Sequence, residues 1–373
     1  MINKIILLYT LITIQSSLSV PLVKREMQKP FDTDFIFEAT GAFNGIATFG
    51  HLPYARCLSD PDQTYDIAVV GIPFDTATSY RPGARFGPAG VREGSRMTVV
   101  SGSYSTSLNH DPYNSGYHLY DCGDIPVTPF DNKKAVNQMY EGYLSLLNRT
   151  IPSTYKSGNA FPRLLTIGGD HTIVLPILRS IHQLHGPVSV IHFDSHIDTW
   201  VPFQFHDGED KDEDDLGNLN HGTYFYFASK EGLIKKNESI HVGIRSHLGS
   251  IQDYVDDRNV GFQLVEAAEV DSIGTQGIVE RIRECVGNNY VYLSLDIDVL
   301  DPAYASGTGT PVTGGFTTRE LHRIIKGLDG LNIIGADVVE VAPAYDHNGQ
   351  VTTLAAADIL FDILTIMTKK PIH

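Results

Sequence analysis

Two short acidic clusters, each placed at the end of an apolar run, constrain this chain more than any other feature. Val188-Ser189-Val190-Ile191-His192-Phe193 leads into Asp194-Ser195-His196-Ile197-Asp198, and Tyr290-Val291-Tyr292-Leu293-Ser294-Leu295 leads into Asp296-Ile297-Asp298. Short runs rich in β-branched and aromatic residues are the pattern of strands buried on both faces of a parallel sheet. Polar residues at the carboxyl ends of such strands lie where open α/β sheets carry their sites. So many buried carboxylates need a counter-charge, which a bound metal supplies. The pattern is that of a metallohydrolase.

The same alternation runs along much of the chain. Asp66 to Gly71 reads as the first core strand, and 133–149 has helical apolar spacing. Leu164-Leu165-Thr166-Ile167 is a strand ending in Gly168-Gly169-Asp170-His171, followed by a helix over 172–184 that Gly186-Pro187 stops. Further strands are expected at 188–193, 240–244, 290–295 and 333–339, with helices at 278–286, 318–328 and 353–369. Thr317-Thr318-Arg319-Glu320 is a capping box. Strands alternating with helices give an α/β fold, a mostly parallel sheet with helices on both faces. The Gly- and Thr-rich stretch from Ala305 to Gly315 follows Asp298 closely enough to line a cleft.

His171, Asp194, His196, Asp198, Asp296 and Asp298 are six candidate metal ligands from three strand ends. An extended Asp-x-His-x-Asp projects all three side chains to one side, and Asp-x-Asp does the same. A carboxylate can bridge two cations, so this set suffices for two metals about 3.5–4 Å apart. Oxygen and imidazole donors without sulfur suit Mn²⁺, with Fe²⁺, Co²⁺, Ni²⁺ and Zn²⁺ as alternatives. A lone Asp-x-Asp is more often a turn or a helix cap. Three motifs, each ending an apolar strand, favour the metal over that blander origin.

Charge and termini bound the biology. The formal net charge of −16 argues against nucleic acid and anionic membranes as partners. Lys4, an apolar run from Ile5 to Ile14, and small residues Ser17 and Ser19 have the layout of a signal peptide over 1–19. Lys24-Arg25 would allow further processing, and the expected localisation is the secretory pathway or outside the cell. Residues 26–65 are expected to form an N-terminal arm and 66–373 a single catalytic domain. Past the N-terminus no apolar stretch is expected to reach the length needed to span a bilayer. Asn148-Arg149-Thr150 and Asn237-Glu238-Ser239 are glycosylation sequons. Cys57, Cys122 and Cys285 allow one disulfide without saying which. Seven acids among the nine residues from Asp207 to Asp215 form a solvated loop rather than a calcium site.

Gly168-Gly169-Asp170-His171, Asp194-Ser195-His196-Ile197-Asp198 and Asp296-Ile297-Asp298-Val299-Leu300-Asp301-Pro302 resemble the three signatures of the ureohydrolases, the arginase and agmatinase family. The resemblance runs from about Asp66 to the last helix. Ser195 stands where the family usually has Ala. Tyr80-Arg81-Pro82-Gly83-Ala84-Arg85-Phe86-Gly87-Pro88, Gly307-Thr308-Gly309-Thr310-Pro311 and the segment from Asp337 to Asp346 resemble the agmatinase branch, here as a secretory-type, fungal-like member. The segment between Asp198 and His221 is longer than in bacterial agmatinases.

The resemblance implies one parallel eight-stranded sheet between helical layers, two Mn²⁺ per subunit, and a trimer or hexamer. It implies one metal on His171, Asp194, Asp198 and Asp296 and the other on Asp194, His196, Asp296 and Asp298, with Asp194 and Asp296 bridging. Asp198 and His221, in Asn220-His221-Gly222-Thr223, would move protons, and Glu340 would pair with a guanidinium. Taken alone, His221 would be a surface or capping histidine and Glu340 a solvated strand-end acid. Arg81, Arg85 and Arg92 are expected in structural ion pairs or subunit contacts. The expected reaction takes a small cationic guanidino substrate, foremost agmatine, to urea and a primary amine. Alternatives are a guanidinobutyrase or arginase acting on a guanidino acid, a non-catalytic metal-binding homologue, and a zinc deacetylase, which needs fewer ligands. The segment from Trp200 to His221, with Lys211 as its one cation, should favour a ligand ending in ammonium over one ending in carboxylate, unless Arg245 enters the pocket.

Overall fold

A computed structural model describes residues 43–98, 102–152, 161–202 and 216–370. The expected signal peptide, the Lys24-Arg25 pair, the start of the arm and the acidic run at Asp207–Asp215 lie outside the described residues.

Eight parallel strands make one sheet: β1 (Ile67–Gly71), β2 (Leu119–Asp124), β3 (Arg163–Ile167), β4 (Ser189–Phe193), β5 (Ser239–Ile244), β6 (Phe262–Glu266), β7 (Tyr290–Asp296) and β8 (Asn332–Val339), in the order β2-β1-β3-β8-β7-β4-β5-β6. The helices are α1 (Gly87–Gly94), α2 (Asn132–Leu147), α3 (Val174–His185), α4 (Tyr224–Lys230), α5 (Ile251–Val260), α6 (Val270–Val286), α7 (Thr318–Gly327) and α8 (Val351–Lys369). The strand period of two sends alternate residues to opposite faces. Ile67, Val69, Ile191, Phe193, Leu293 and Leu295 meet α1, α6, α7 and α8 on one face. Ala68, Val70, Val190 and Tyr292 meet α2, α3, α4 and α5 on the other. The result is the expected three-layer α/β/α sandwich with a core on each side of the sheet.

The apolar runs all became strands and the capping box at Thr317 and Glu320 starts α7. Five elements were not expected: β2, β6, α1, α4 and α5. The two unexpected strands are the two edges of the sheet. β6 buries Phe262 and Val265 but exposes Gln263 and Glu266, and β2 carries Asp121 and Asp124, so neither offers a continuous apolar run. The helix expected at 278–286 begins at Val270, with a break at Gly274. Contrary to expectation, α8 is long and apolar enough to cross a membrane by length and composition, but 78% of its apolar window is buried inside the fold. It serves as a core helix.

Cys57 and Cys122 form a disulfide that ties the segment preceding β1 to β2; Cys285 is free and buried. Tyr54 pairs with Asp121 alongside the same edge. Closing a loop of this length removes about 4 kcal/mol of chain entropy from the unfolded state. Arg92 binds Asp121 and Asp124 on β2, and Arg85 binds Asp75, so both arginines are structural ion pairs as expected. Arg81 instead stacks over the rings of Tyr80 and Tyr345.

Candidate metal centre

β3, β8, β7 and β4 are consecutive in the sheet, and their carboxyl ends deliver His171, Glu340, Asp296 and Asp194 side by side. Each strand-end aspartate holds the turn that follows it. Asp194 Oδ1 accepts the His196 N–H at 2.6 Å, and Asp296 Oδ1 accepts the Asp298 N–H at 2.7 Å. His171 opens a short 3₁₀ turn capped by Asp170. Just before it, Gly169 admits no side chain: a Cβ there would sit 1.7 Å from the Phe74 carbonyl oxygen.

All six expected ligands come together. His171 Nδ1 lies 3.0 Å from Asp194 Oδ2, 3.1 Å from Asp198 Oδ2 and 3.4 Å from Asp296 Oδ2. His196 Nδ1 lies 3.3 Å from Asp194 Oδ1 and 3.2 Å from Asp298 Oδ2. Asp194 therefore turns one oxygen to each group, as a bridging ligand must. Asp296, also expected to bridge, faces the His171 group with Oδ2 while its Oδ1 holds the Asp298 amide.

The orientation of His171 tests whether a cation fits. The Ser294 hydroxyl donates to Asp337 Oδ1 at 3.0 Å, so it accepts from His171 Nε2 at 2.9 Å. That leaves Nδ1 bare, aimed at three carboxylates; Nδ1 and Asp194 Oδ2 are both buried without a hydrogen bond. Lone pairs so arranged repel unless a cation stands among them. Burial, then repulsion from Asp298 and Asp194, pushes the Asp296 carboxyl well above its usual range, and burial with Asp194 lifts Asp198 to about 6. The donor set suits a pair of divalent metals.

Beside these groups stand His221 and Glu340. Glu340 Oε1 accepts from the His171 N–H at 2.9 Å and lies 3.0 Å from His221 Nδ1; its Oε2 is buried with no hydrogen-bond partner. Burial would lower the His221 pKa, but Glu340, then Asp170 and Asp198, push it up to about 9. The Ser79 N–H donating to Nε2 at 3.0 Å favours the neutral ring. These opposed influences suit a group that takes and gives a proton. Asp198 and Glu340 both hold left-handed backbone, with φ of 53° and 60°. Such conformations cost a non-glycine residue of order 1–3 kcal/mol and cluster at functional sites.

Several partners were not singled out from sequence. Ser294 and Asp337 tether His171, and Tyr292 anchors Asp337 at 2.6 Å. Ser195 donates to Asp298 Oδ1 at 2.8 Å, and Thr310, in the Gly-rich loop, reaches Asp298 Oδ2 at 3.4 Å. Ser79 meets His221. His192 touches Asp194 directly. Each is a common residue type within an apolar or loop segment, and only tertiary structure gives it a neighbour. Arg245 does not enter the pocket. Its guanidinium donates to the backbone carbonyls of Gly243, Asp298, Val299, Leu300 and Val312.

A parallel α/β sandwich with paired carboxylate–histidine groups at its central strand ends defines a metal-dependent hydrolase of the ureohydrolase type. Residues 65–365 match the model of the arginase family. The chain belongs to that family and is a hydrolase acting on guanidino compounds. It is 53% identical over 350 residues to "Putative agmatinase 1" of Schizosaccharomyces pombe, covering 92% of this chain and 87% of that protein. It is 37% identical over 326 residues to the agmatinase of Citrobacter koseri, covering 86% and 94%. Among solved structures it resembles the proclavaminate amidino hydrolase of Streptomyces clavuligerus, with a TM-score of 0.76, 35% identity and coverage of 88% and 99%. It also resembles a "hypothetical agmatinase" from Burkholderia thailandensis, with a TM-score of 0.73, 38% identity and coverage of 88% and 92%.

Proposed function

We propose that this chain hydrolyses agmatine to urea and putrescine, with two Mn²⁺ as its native metals. His171, Asp194, Asp198 and Asp296 would hold one ion, and Asp194, His196, Asp296 and Asp298 the other. When bound, such a pair makes water acidic enough to act as a nucleophile at neutral pH. The protein's own groups do the rest. Glu340 receives the guanidinium on its unpartnered Oε2 and so orients the carbon to be attacked. Asp198 holds a proton beside that carbon, and His221 relays one between the pocket and its mouth as the amine leaves. The unpartnered, buried Glu340 oxygen beside the paired carboxylate–histidine groups is the observation that carries this reading.

The far end of the substrate decides among guanidino compounds. A terminal carboxylate needs a cation or a cluster of donors. Arg245, Arg85 and Arg92 are committed to the protein's own carbonyls and carboxylates. Among the described residues Arg81 is an exposed cation, and it stacks on two tyrosines; Lys211 lies outside the described residues. The steady-state kcat/KM at low ionic strength is therefore expected to be higher for agmatine than for guanidinobutyrate or arginine. A clear preference for guanidinobutyrate would refute this and turn attention to Arg81. Urea release under the same conditions also separates this reading from a non-catalytic homologue.

We also propose that the protein passes through the secretory pathway. The N-terminal sequence and the Cys57–Cys122 bridge support this, because disulfides persist in oxidising compartments. Of the two sequons, Asn148 ends α2 with both it and Thr150 exposed, whereas Ser239 of the other is buried in β5. Native protein is expected to begin at or after Val20 and to lose mass on glycosidase treatment at Asn148. Unglycosylated protein retaining Met1 in a cytosolic fraction would refute it. Assembly into a trimer or hexamer is a further proposal, from the family resemblance alone.

A further inference from the structure

A histidine that carries protons needs partners for both of its charge states at the place where its ring stands. His221 Nδ1 faces the carboxylate oxygen Glu340 Oε1 at 3.0 Å. Its Nε2 meets two atoms of Ser79: the backbone N–H donates to it at 3.0 Å, and the hydroxyl lies 2.7 Å away. With Nε2 accepting from a backbone N–H, the neutral ring carries its hydrogen on Nδ1 and donates it to Glu340. Ser79 is held in place by its neighbours in the loop after β1. The Ala77 N–H donates to Asp170 Oδ2 at 3.1 Å, the His221 N–H donates to the Ala77 carbonyl at 3.2 Å, and the Tyr345 hydroxyl donates to the Pro82 carbonyl at 2.8 Å. Gly309 lets the same loop close in, because a Cβ there would stand 2.7 Å from the Arg81 carbonyl oxygen. Ser79 itself is exposed, so core packing does not account for its hydroxyl.

The two Ser79 atoms treat the charge states of the ring differently. An N–H can only donate, so it opposes a hydrogen on Nε2. A hydroxyl donates or accepts by rotating. It donates to the neutral ring and accepts from the Nε2–H of the charged one, with its own hydrogen turned to solvent. We infer that Ser79 is a positioning residue of the proton relay: its hydroxyl partners His221 Nε2 in both protonation states, so the ring gains and loses a proton without leaving Glu340. This rests on the proposed reading of His221 as a proton carrier. Without the hydroxyl, the charged ring would set its Nε2–H against a backbone N–H, donor against donor. Burial lowers the His221 pKa, and Glu340, Asp170 and Asp198 raise it. The Ser79 hydroxyl works in the same direction as these acids, because a hydrogen bond to the charged form favours that form. Asp75 and Arg85, the charged groups flanking Ser79 in its own loop, bind each other.

The pH dependence of kcat/KM for agmatine, measured on full-length manganese-loaded protein, separates this role from a packing role. The amine leaves with a proton, so activity falls as pH rises through the His221 pKa. Removing an acceptor of the charged form lowers that pKa. For Ser79→Ala the alkaline limb is expected to move about one unit to lower pH, with about tenfold lower kcat/KM above the parent limb and parent-like values well below it. Ser79→Thr keeps a hydroxyl and should restore the parent limb. Both variants should keep the parent's metal content by elemental analysis. In the His221→Ala background, Ser79→Ala should change nothing further. An unmoved alkaline limb, an equal loss at every pH, a Thr variant as impaired as the Ala variant, or the same loss in the absence of His221 would overturn the inference. A His221→Ala protein that hydrolyses agmatine at the parent rate would overturn the reading of His221 itself, a separate failure visible before Ser79 is changed.

Discussion

Asp194→Ala is expected to lose bound metal and nearly all activity, and to be the most damaging single change at the site. Asp194 is the residue whose two oxygens face both groups, Oδ2 toward His171 and Oδ1 toward His196. Removing it takes a ligand from each metal. Transition-state stabilisation by a metal is worth several kcal/mol, so kcat should fall on the order of a thousandfold or more. Asp296→Ala should be nearly as severe, and Asp298→Ala, on one group only, milder. Elemental analysis after gel filtration checks this directly. An Asp194→Ala protein that keeps two metals per chain would show that Asp194 does not bridge.

His221→Ala is expected to behave oppositely: it should keep both metals and still lose about 10²–10⁴-fold in kcat, the usual contribution of a positioned acid–base group. Among the described residues the His221 ring hydrogen-bonds with Glu340, at 3.0 Å, and with Ser79, and not with a proposed metal ligand. Its loss therefore removes a proton path without removing a ligand. Metal content and rate, measured on the same preparation, separate the two roles. Loss of metal in this variant would mean that His221 had been given the wrong role.

The elements legible in the sequence were those where one physical signal dominated. β4 and β7 sit mid-sheet, covered on both faces, so Ile191, Phe193, Leu293 and Leu295 produce apolar runs that admit few other structures. The carboxylate and histidine cluster after them was legible because a strand-end aspartate two residues from another donor is a local pattern. β2 and β6 were not legible, because an edge strand is half-solvated and its buried charges, such as Asp121, are neutralised by residues distant in sequence, here Arg92. The same holds for the groups supporting the centre. Nothing near Ser294 in the sequence shows that its hydroxyl decides which nitrogen of His171 stays bare. Arg245 is the converse case. From sequence it is a cation available to a substrate carboxylate, and in the fold five carbonyls consume it.

The central claim is that paired metals on these six residues enable the chain to release urea from agmatine. The most direct measurement is urea production from agmatine by metal-stripped, purified protein titrated with Mn²⁺. The expected curve starts near zero, rises with added metal and levels off at two equivalents per chain, in keeping with the two donor groups that share Asp194. Urea release that is undiminished in stripped protein, or absent at every Mn²⁺ concentration, would contradict it.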